Sequence, residues 1–103
     1  MVTMARHKYN ARSMNIDNIK FSSKKEAGYY MHLRKRKLDG EVKYFLRKVP
    51  FDLGRSGTYI CDFLVVWADD TVSFEDVKLP LSLHLVNNKN LAELKYNVKI
   101  NQV

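Results

Sequence analysis

Positions 59–67 read Tyr-Ile-Cys-Asp-Phe-Leu-Val-Val-Trp, an apolar run broken by a single carboxylate. A stretch so rich in β-branched and aromatic residues, bounded by Gly54–Gly57 before it and Ala68-Asp69-Asp70 after it, predicts a strand over Thr58–Trp67. It is apolar on both faces, which predicts a central strand covered on both sides. Alternation sets Ile60, Asp62, Leu64 and Val66 on one face and Tyr59, Cys61, Phe63 and Val65 on the other. Asp62 thus lies inside the least polar segment of the chain, where a carboxylate is costly unless it is paired or binds a cation.

The other segments are read around that strand. Residues 1–20 are polar and basic and predict an arm, ending in a short strand at Ile19–Phe21; residues 21–103 form the folded core. Ser22–Leu38 predicts a helix, with Ser23 and Glu26 at capping-box spacing and Ala27, Tyr30, Met31, Arg34 and Leu38 recurring at helical intervals. Asp39-Gly40 stops it. Glu41–Leu53 predicts a strand, with Pro50 marking an edge or a bulge. Thr71–Leu79 returns beside the central strand until Pro80. Ser82 has N-cap chemistry for a helix reaching about Lys95, and Asn97–Val103 alternates as a last strand. The order predicts one small α/β domain, a mixed central sheet flanked by helices. Its 103 residues suit one core.

Eighteen Lys and Arg against 11 Asp and Glu leave a net charge of +7, which favours a polyanionic partner, nucleic acid first. No apolar run approaches the roughly 18–20 residues of a membrane helix, and the N-terminus lacks the apolar stretch of a secretory signal. A single cysteine, Cys61, excludes an internal disulfide and a thiolate cluster, and suits a buried thiol in a reducing, cytoplasmic setting. His7, His32 and His84 lack zinc spacing. There is no phosphate-cradling glycine loop and no Gly-x-Ser-x-Gly elbow.

Register decides what Asp62 meets. A two-residue turn at Asp69-Asp70 would pair Asp62 with Val77, put Glu75 beside it and send Asp76 and Lys78 to the other face. A three-residue loop, Ala68-Asp69-Asp70, pairs Trp67 with Thr71 and hence Asp62 with Asp76, with Asp70 in the left-handed position that glycine usually takes. The second register is the expected one. It brings two carboxylates and the Lys78 ammonium together on adjacent strands. Close carboxylates favour a hard cation, magnesium or manganese rather than zinc. Such an ion acidifies water and neutralises phosphate charge, while a neighbouring lysine orients or deprotonates the water. Glu26 adds a third carboxylate.

Asp62 followed by Asp76-Val77-Lys78 resembles the catalytic signature of the PD-(D/E)xK nuclease superfamily. FSSKKEAGYY at 21–30, KVPFDL at 48–53, YICDFLVVWADDTVSFEDVK at 59–78 and LAELKYNVKI at 91–100 resemble a family of small phage-encoded, endonuclease-like proteins within it. The resemblance runs from about Lys8 to Ile100. It implies a restriction-endonuclease-like core, with Glu26, Asp62, Asp76 and the Val77 carbonyl as metal ligands and Lys78 as the catalytic lysine. Ser82 stands in the place of a frequent Thr. Leu79 replaces a usual Gly, Asn88 a common Lys (with Lys89 adjacent), and Asp70 the turn Gly.

Each charged residue also has a plain structural reading. Glu26 is a helix cap, Asp76 and Lys78 form a surface ion pair worth roughly 0–1 kcal/mol, and Asp62 accepts backbone hydrogen bonds at a bulge. Their joint arrangement in this order favours a site. Arg6, Lys8 and Arg12 on the arm, with Lys24 and Lys25 at the helix start, are expected to hold DNA phosphates alongside Ser82 and Lys89. The expected function is a magnesium- or manganese-dependent DNA endonuclease, homodimeric because the chain is too small to encircle DNA. Branched DNA is its sharper substrate expectation. The alternative is a non-catalytic DNA-binding or packaging accessory protein.

Overall fold

The chain's first described residues already form a hairpin. The computed structural model describes residues 14–103; Arg6, Lys8 and Arg12 lie outside the described residues. Strands β1 (Met14–Ile16) and β2 (Ile19–Phe21) pair antiparallel across Asp17-Asn18, both at positive φ (54° and 65°). This is the geometry that lets a two-residue turn follow the twist of its strands. The Asp17 carboxylate accepts from the Tyr30 hydroxyl at 2.8 Å and from Arg34 at 2.5 Å, fastening the hairpin to the first helix. Phe21 is fully buried. The expected strand at Ile19–Phe21 is present, but residues 14–20 are hairpin rather than arm.

Helix α1 (Lys24–Leu38) starts as its sequence predicts, with the Ser23 hydroxyl accepting from the Glu26 amide at 3.1 Å. Gly40, at φ 84°, turns the chain so that the Gly40 and Glu41 amides close onto Lys37 and Arg36. The helix buries Glu26, Ala27, Tyr30 and Leu33. Met31 and Leu38, expected on the core face, are exposed, because the buried stripe runs through Leu33 instead.

The main sheet has the order β3 (Val42–Asp52), β4 (Thr58–Trp67), β5 (Val72–Asp76), β6 (Ile100–Gln102). Its first two pairings are antiparallel and the last is parallel, so the sheet is mixed. Pro50 lies in edge strand β3, where its missing N–H leaves no ladder bond unmade. Helix α2 (Leu83–Tyr96), capped by Ser82 and ended by Asn97 at φ 53°, carries the chain from β5 across to β6. Among the described residues no helix is long and apolar enough to cross a membrane.

Two buried clusters flank the middle of the β3–β4 ribbon. Phe63 and Val65 pack with Ala27, Tyr30 and Leu33 of α1, while Tyr59 and Cys61 pack with Phe51, Ile100 and Ala92 of α2. They divide at Asp62. The second face of β4 is less covered than its composition predicts: Ile60 is exposed, as are Tyr44, Leu46 and Val72 on the neighbouring strands.

Candidate functional site

The β4–β5 hairpin adopts the three-residue loop. Phe63 pairs with Glu75, Leu64 with Phe74, Val65 with Ser73 and Val66 with Val72, the register that sets Asp62 opposite Asp76. The Trp67 amide donates to the Thr71 carbonyl at 2.8 Å, and Asp70 takes φ 72°. Asp69 supports the loop by accepting from the Thr71 amide and hydroxyl at 3.0 and 2.6 Å.

Below Phe63 and Glu75 the carboxylates replace the backbone ladder. Asp76 Oδ1 accepts from the Asp62 amide at 2.9 Å, and Asp62 Oδ2 accepts from the Val77 and Lys78 amides at 2.8 and 3.0 Å. This capture is why β5 ends at Asp76 rather than continuing to Leu79: the next two amides are bound by a side chain instead of a strand. Asp62 and Asp76 are 2% and 1% exposed. Burial alone would raise the Asp62 carboxyl. The Lys78 amide and ammonium, the Val77 amide and the Lys48 ammonium outweigh it and hold Asp62 below its ordinary value.

Lys78 is anchored on several sides. Its Nζ donates to the Ile60 carbonyl at 2.7 Å and to Asp76 Oδ1 at 3.1 Å, lies 3.5 Å from Asp62 Oδ1, and sits 5.0 Å from the centre of the Tyr59 ring. The Tyr59 hydroxyl donates to Asp76 Oδ2. Burial, then this bond, raises the phenol well above its usual value, so Tyr59 remains the donor. Cys61, next to Asp62, is buried, and burial with the Asp76 charge pushes its thiol up to about 12. It is a packing thiol.

Glu26 reaches the same place from α1. Its backbone amide completes half of the capping box, but its side chain turns inward: Oε1 accepts from the Ser22 hydroxyl at 3.2 Å. Oε2 is buried and receives no hydrogen bond, although Lys48 Nζ lies 2.8 Å and Arg47 Nη2 3.8 Å from it. The capping role therefore belongs to Ser23, and the carboxylate is left facing the site.

Lys48 is the residue that sequence reasoning missed. It lies opposite Asp62 in the β3–β4 register, between Arg47↔Phe63 and Val49↔Cys61, and its Nζ is 3.5 Å from Asp62 Oδ1. Counting back from the Gly54–Gly57 turn would have placed it there. Its backbone would not have been foreseen: Lys48 has φ 54° within the strand, a conformation that costs a non-glycine residue about 1–2 kcal/mol. Neighbouring strand residues ordinarily point to opposite faces. Here Arg47 and Lys48 approach one Glu26 oxygen.

Of these side chains Glu26, Lys48, Asp62 and Lys78 line a groove of about 540 Å³, with Lys25, Leu79 and Leu81 on its rim; Asp76 is outside that lining and joins it through the Asp62 amide and Lys78. Among the other expected DNA contacts, Lys24 is exposed in the first turn of α1. The Ser82 hydroxyl is engaged as a cap, accepting from the Leu85 amide at 3.1 Å. Asn88 and Lys89 lie in α2, outside the groove lining, and Asn88 is buried with its amide near Ser56 and His84. The Val77 carbonyl accepts from Gln102 Nε2 at 3.1 Å; it is the Val77 amide that enters the cluster.

The donor chemistry suits a hard divalent cation. The Glu26 Oε2 lone pairs are unused by any hydrogen bond and Asp62 Oδ1 has only two lysines at 3.5 Å, whereas both Asp76 oxygens are engaged, by the Asp62 amide, Lys78 and Tyr59. As arranged, ammonium groups lie between the carboxylates, and among the described residues no three acidic, His or Cys side chains are drawn together as an ion cage.

A family model described as "Protein of unknown function (DUF1064)" matches residues 6–102, nearly the whole chain. The chain belongs to that family. Neither the curated proteins nor the solved structures gave a match.

Proposed function

We propose that this member of the DUF1064 family is a metal-dependent DNA endonuclease of the PD-(D/E)xK type. The observation that carries the reading is the convergence of Glu26, Asp62 and Lys78 on a single groove, with Asp76 bonded to both the Asp62 amide and Lys78. Glu26, Asp62 and Asp76 would hold magnesium or manganese. Such an ion, when bound, lowers the pKa of water and neutralises charge on a phosphate. The protein's own part is positional. Asp62 is held ionised by two amides and two ammonium groups, and Tyr59 fixes Asp76 by a hydroxyl that stays protonated. Lys78, anchored through Ile60, presents its charge where a scissile phosphate enters the groove and stabilises the charge that builds up there. The Val77 carbonyl, which accepts one hydrogen bond from Gln102 and keeps a second lone pair, would add a further ligand. Lys25 on the rim and Lys24 beside it supply phosphate contacts, to which the arm residues Arg6, Lys8 and Arg12 would add.

A homodimer would present two such grooves to two strands, the arrangement that branched DNA requires. The single buried thiol goes with a cytoplasmic setting, that of the host cell if the chain is viral.

One observation favours a second reading. Lys48 and Lys78 already neutralise the acids, as they would in a DNA-binding accessory protein that keeps the fold without the chemistry. Incubation of plasmid and four-way-junction DNA with magnesium or manganese separates the two. The nuclease cuts, and Lys78→Ala or Asp62→Asn slows it by about 100-fold or more. DNA binding without cleavage by the wild type under any of these conditions would select the accessory protein.

A further inference from the structure

We infer that Lys48 is a displaceable cation of the carboxylate site: it neutralises Glu26 and Asp62 in the free protein, competes with the divalent ion for them, and once released turns to a DNA phosphate in the groove. The inference rests on the nuclease reading and assigns a role to a residue outside the four that define it.

The two lysines of the site differ in how they are held. Lys78 Nζ is fixed by a backbone carbonyl at 2.7 Å, by Asp76 at 3.1 Å and by the Tyr59 ring. Lys48 Nζ has no backbone acceptor among the described residues. It has the ion pair with Glu26 at 2.8 Å, lacking hydrogen-bond alignment, and the long contact with Asp62 at 3.5 Å. Its side chain is 47% exposed and lines the groove, so it can leave without crossing the core.

Lys48 contacts Glu26 Oε2 and Asp62 Oδ1, oxygens that no backbone amide satisfies. A hard cation would need those same oxygens. An ammonium satisfies them by charge alone, without the fixed geometry an ion demands. The backbone adds an independent sign. No turn requires a positive φ at position 48, yet φ 54° is what brings Lys48 to the same carboxylate as Arg47. A strained non-glycine residue beside a cluster of charges is the pattern expected where placement of a side chain is worth its conformational cost. Arg47 is the permanent partner. It is half-buried with its guanidinium 4.6 Å from the centre of the Phe21 ring, and it remains as a counter-charge to Glu26 when Lys48 departs.

This role has a signature that a purely structural lysine lacks: removing the charge should tighten metal binding and slow catalysis together. Manganese binding is measured by calorimetry on the full chain without DNA, and single-turnover cleavage at saturating manganese. Lys48→Met keeps the apolar stem. Lys48→Gly suits the positive φ and keeps the fold testable if methionine does not. Both variants should bind manganese about tenfold more tightly than wild type, since a competing unit charge within 4 Å is gone, and both should cleave at least about tenfold more slowly. Lys48→Arg should recover part of the cleavage rate. Manganese binding seen only in the variants would support the same conclusion. Unchanged or weaker manganese binding in folded variants, with wild type still cutting DNA, would overturn the role of Lys48 alone. No manganese binding and no cleavage by any of the proteins would overturn the nuclease reading and this inference with it.

Discussion

Glu75 and Asp76 are neighbours on one strand, both buried, yet they sit in different chemical settings. Glu75 accepts from the Tyr29 hydroxyl and from the Ser73 hydroxyl at 2.9 Å, and Ser73 in turn accepts from the Trp67 indole at 2.9 Å. No lysine or arginine pairs with it among the described residues, and it is not part of the groove that Asp62 lines. Asp76 accepts from a tyrosine hydroxyl and a backbone amide, but also from Lys78, which with Asp62 lines the groove. Burial of a carboxylate is therefore not what marks a site. Glu75 shows how a sheet satisfies one with hydroxyl donors, at the seam between α1 and β5. The Asp76 cluster keeps several acids together, balances them with cations and sets two of them, Glu26 and Asp62, against a groove. That is a poor way to stabilise a core and a suitable way to receive a cation.

The sharpest way to break this contrast is to neutralise each acid by an isosteric amide. Asp76→Asn should lower the DNA cleavage rate by about 100-fold or more, while Glu75→Gln should stay within about threefold of wild type. Equal losses in the two variants, with both folded, would erase the distinction.

Acid titration sharpens the comparison through stability. The Asp62 carboxyl lies below its ordinary value in the folded state. Its contribution is therefore fully present above about pH 4, the unfolded value, and is lost as pH falls through the lower folded one. Denaturant melts between neutral pH and pH 2 should show wild type losing more stability over that acid window than Asp62→Asn. Parallel curves would mean that the two amides and two ammonium groups do not favour the ionised carboxylate.

The smallest effects come from the hydroxyl donors. Tyr29→Phe and Tyr59→Phe each remove one bond to a buried acid and should cost about 1 kcal/mol or somewhat more in denaturant melts. Only Tyr59→Phe should also lower the cleavage rate, since of the two tyrosines Tyr59 alone bonds an acid of the cluster around Lys78. A lowered rate in Tyr29→Phe at unchanged fold would place Glu75 in the same functional unit.

Much of this contrast could be read from residue order. The register of β4 and β5 followed from loop length and from Asp70 tolerating a left-handed conformation, and it decided which of Glu75 and Asp76 would face Asp62. The caps at Ser23 and Ser82 were legible from their hydroxyls. Other features depend on side chains acting on the backbone. β5 stops early because Asp62 captures the amides of Val77 and Lys78, an interaction across two strands that no local pattern encodes. The Asp17-Asn18 hairpin hid in a polar stretch, because a three-residue strand is too short to display alternation. Lys48 escaped notice because its importance comes from a positive φ that lysine does not favour. The N-terminal contacts expected of Arg6, Lys8 and Arg12 fall outside the described residues.

The central claim is that Glu26, Asp62 and Asp76 receive a divalent ion beside Lys78. A crystal structure of the full chain grown with manganese tests it most directly through anomalous scattering. The account predicts a manganese peak bonded to oxygens of these three carboxylates, with Lys48 withdrawn from Glu26 and Lys78 still held by Ile60. Well-ordered carboxylates with both lysines in place and no manganese among them would contradict it.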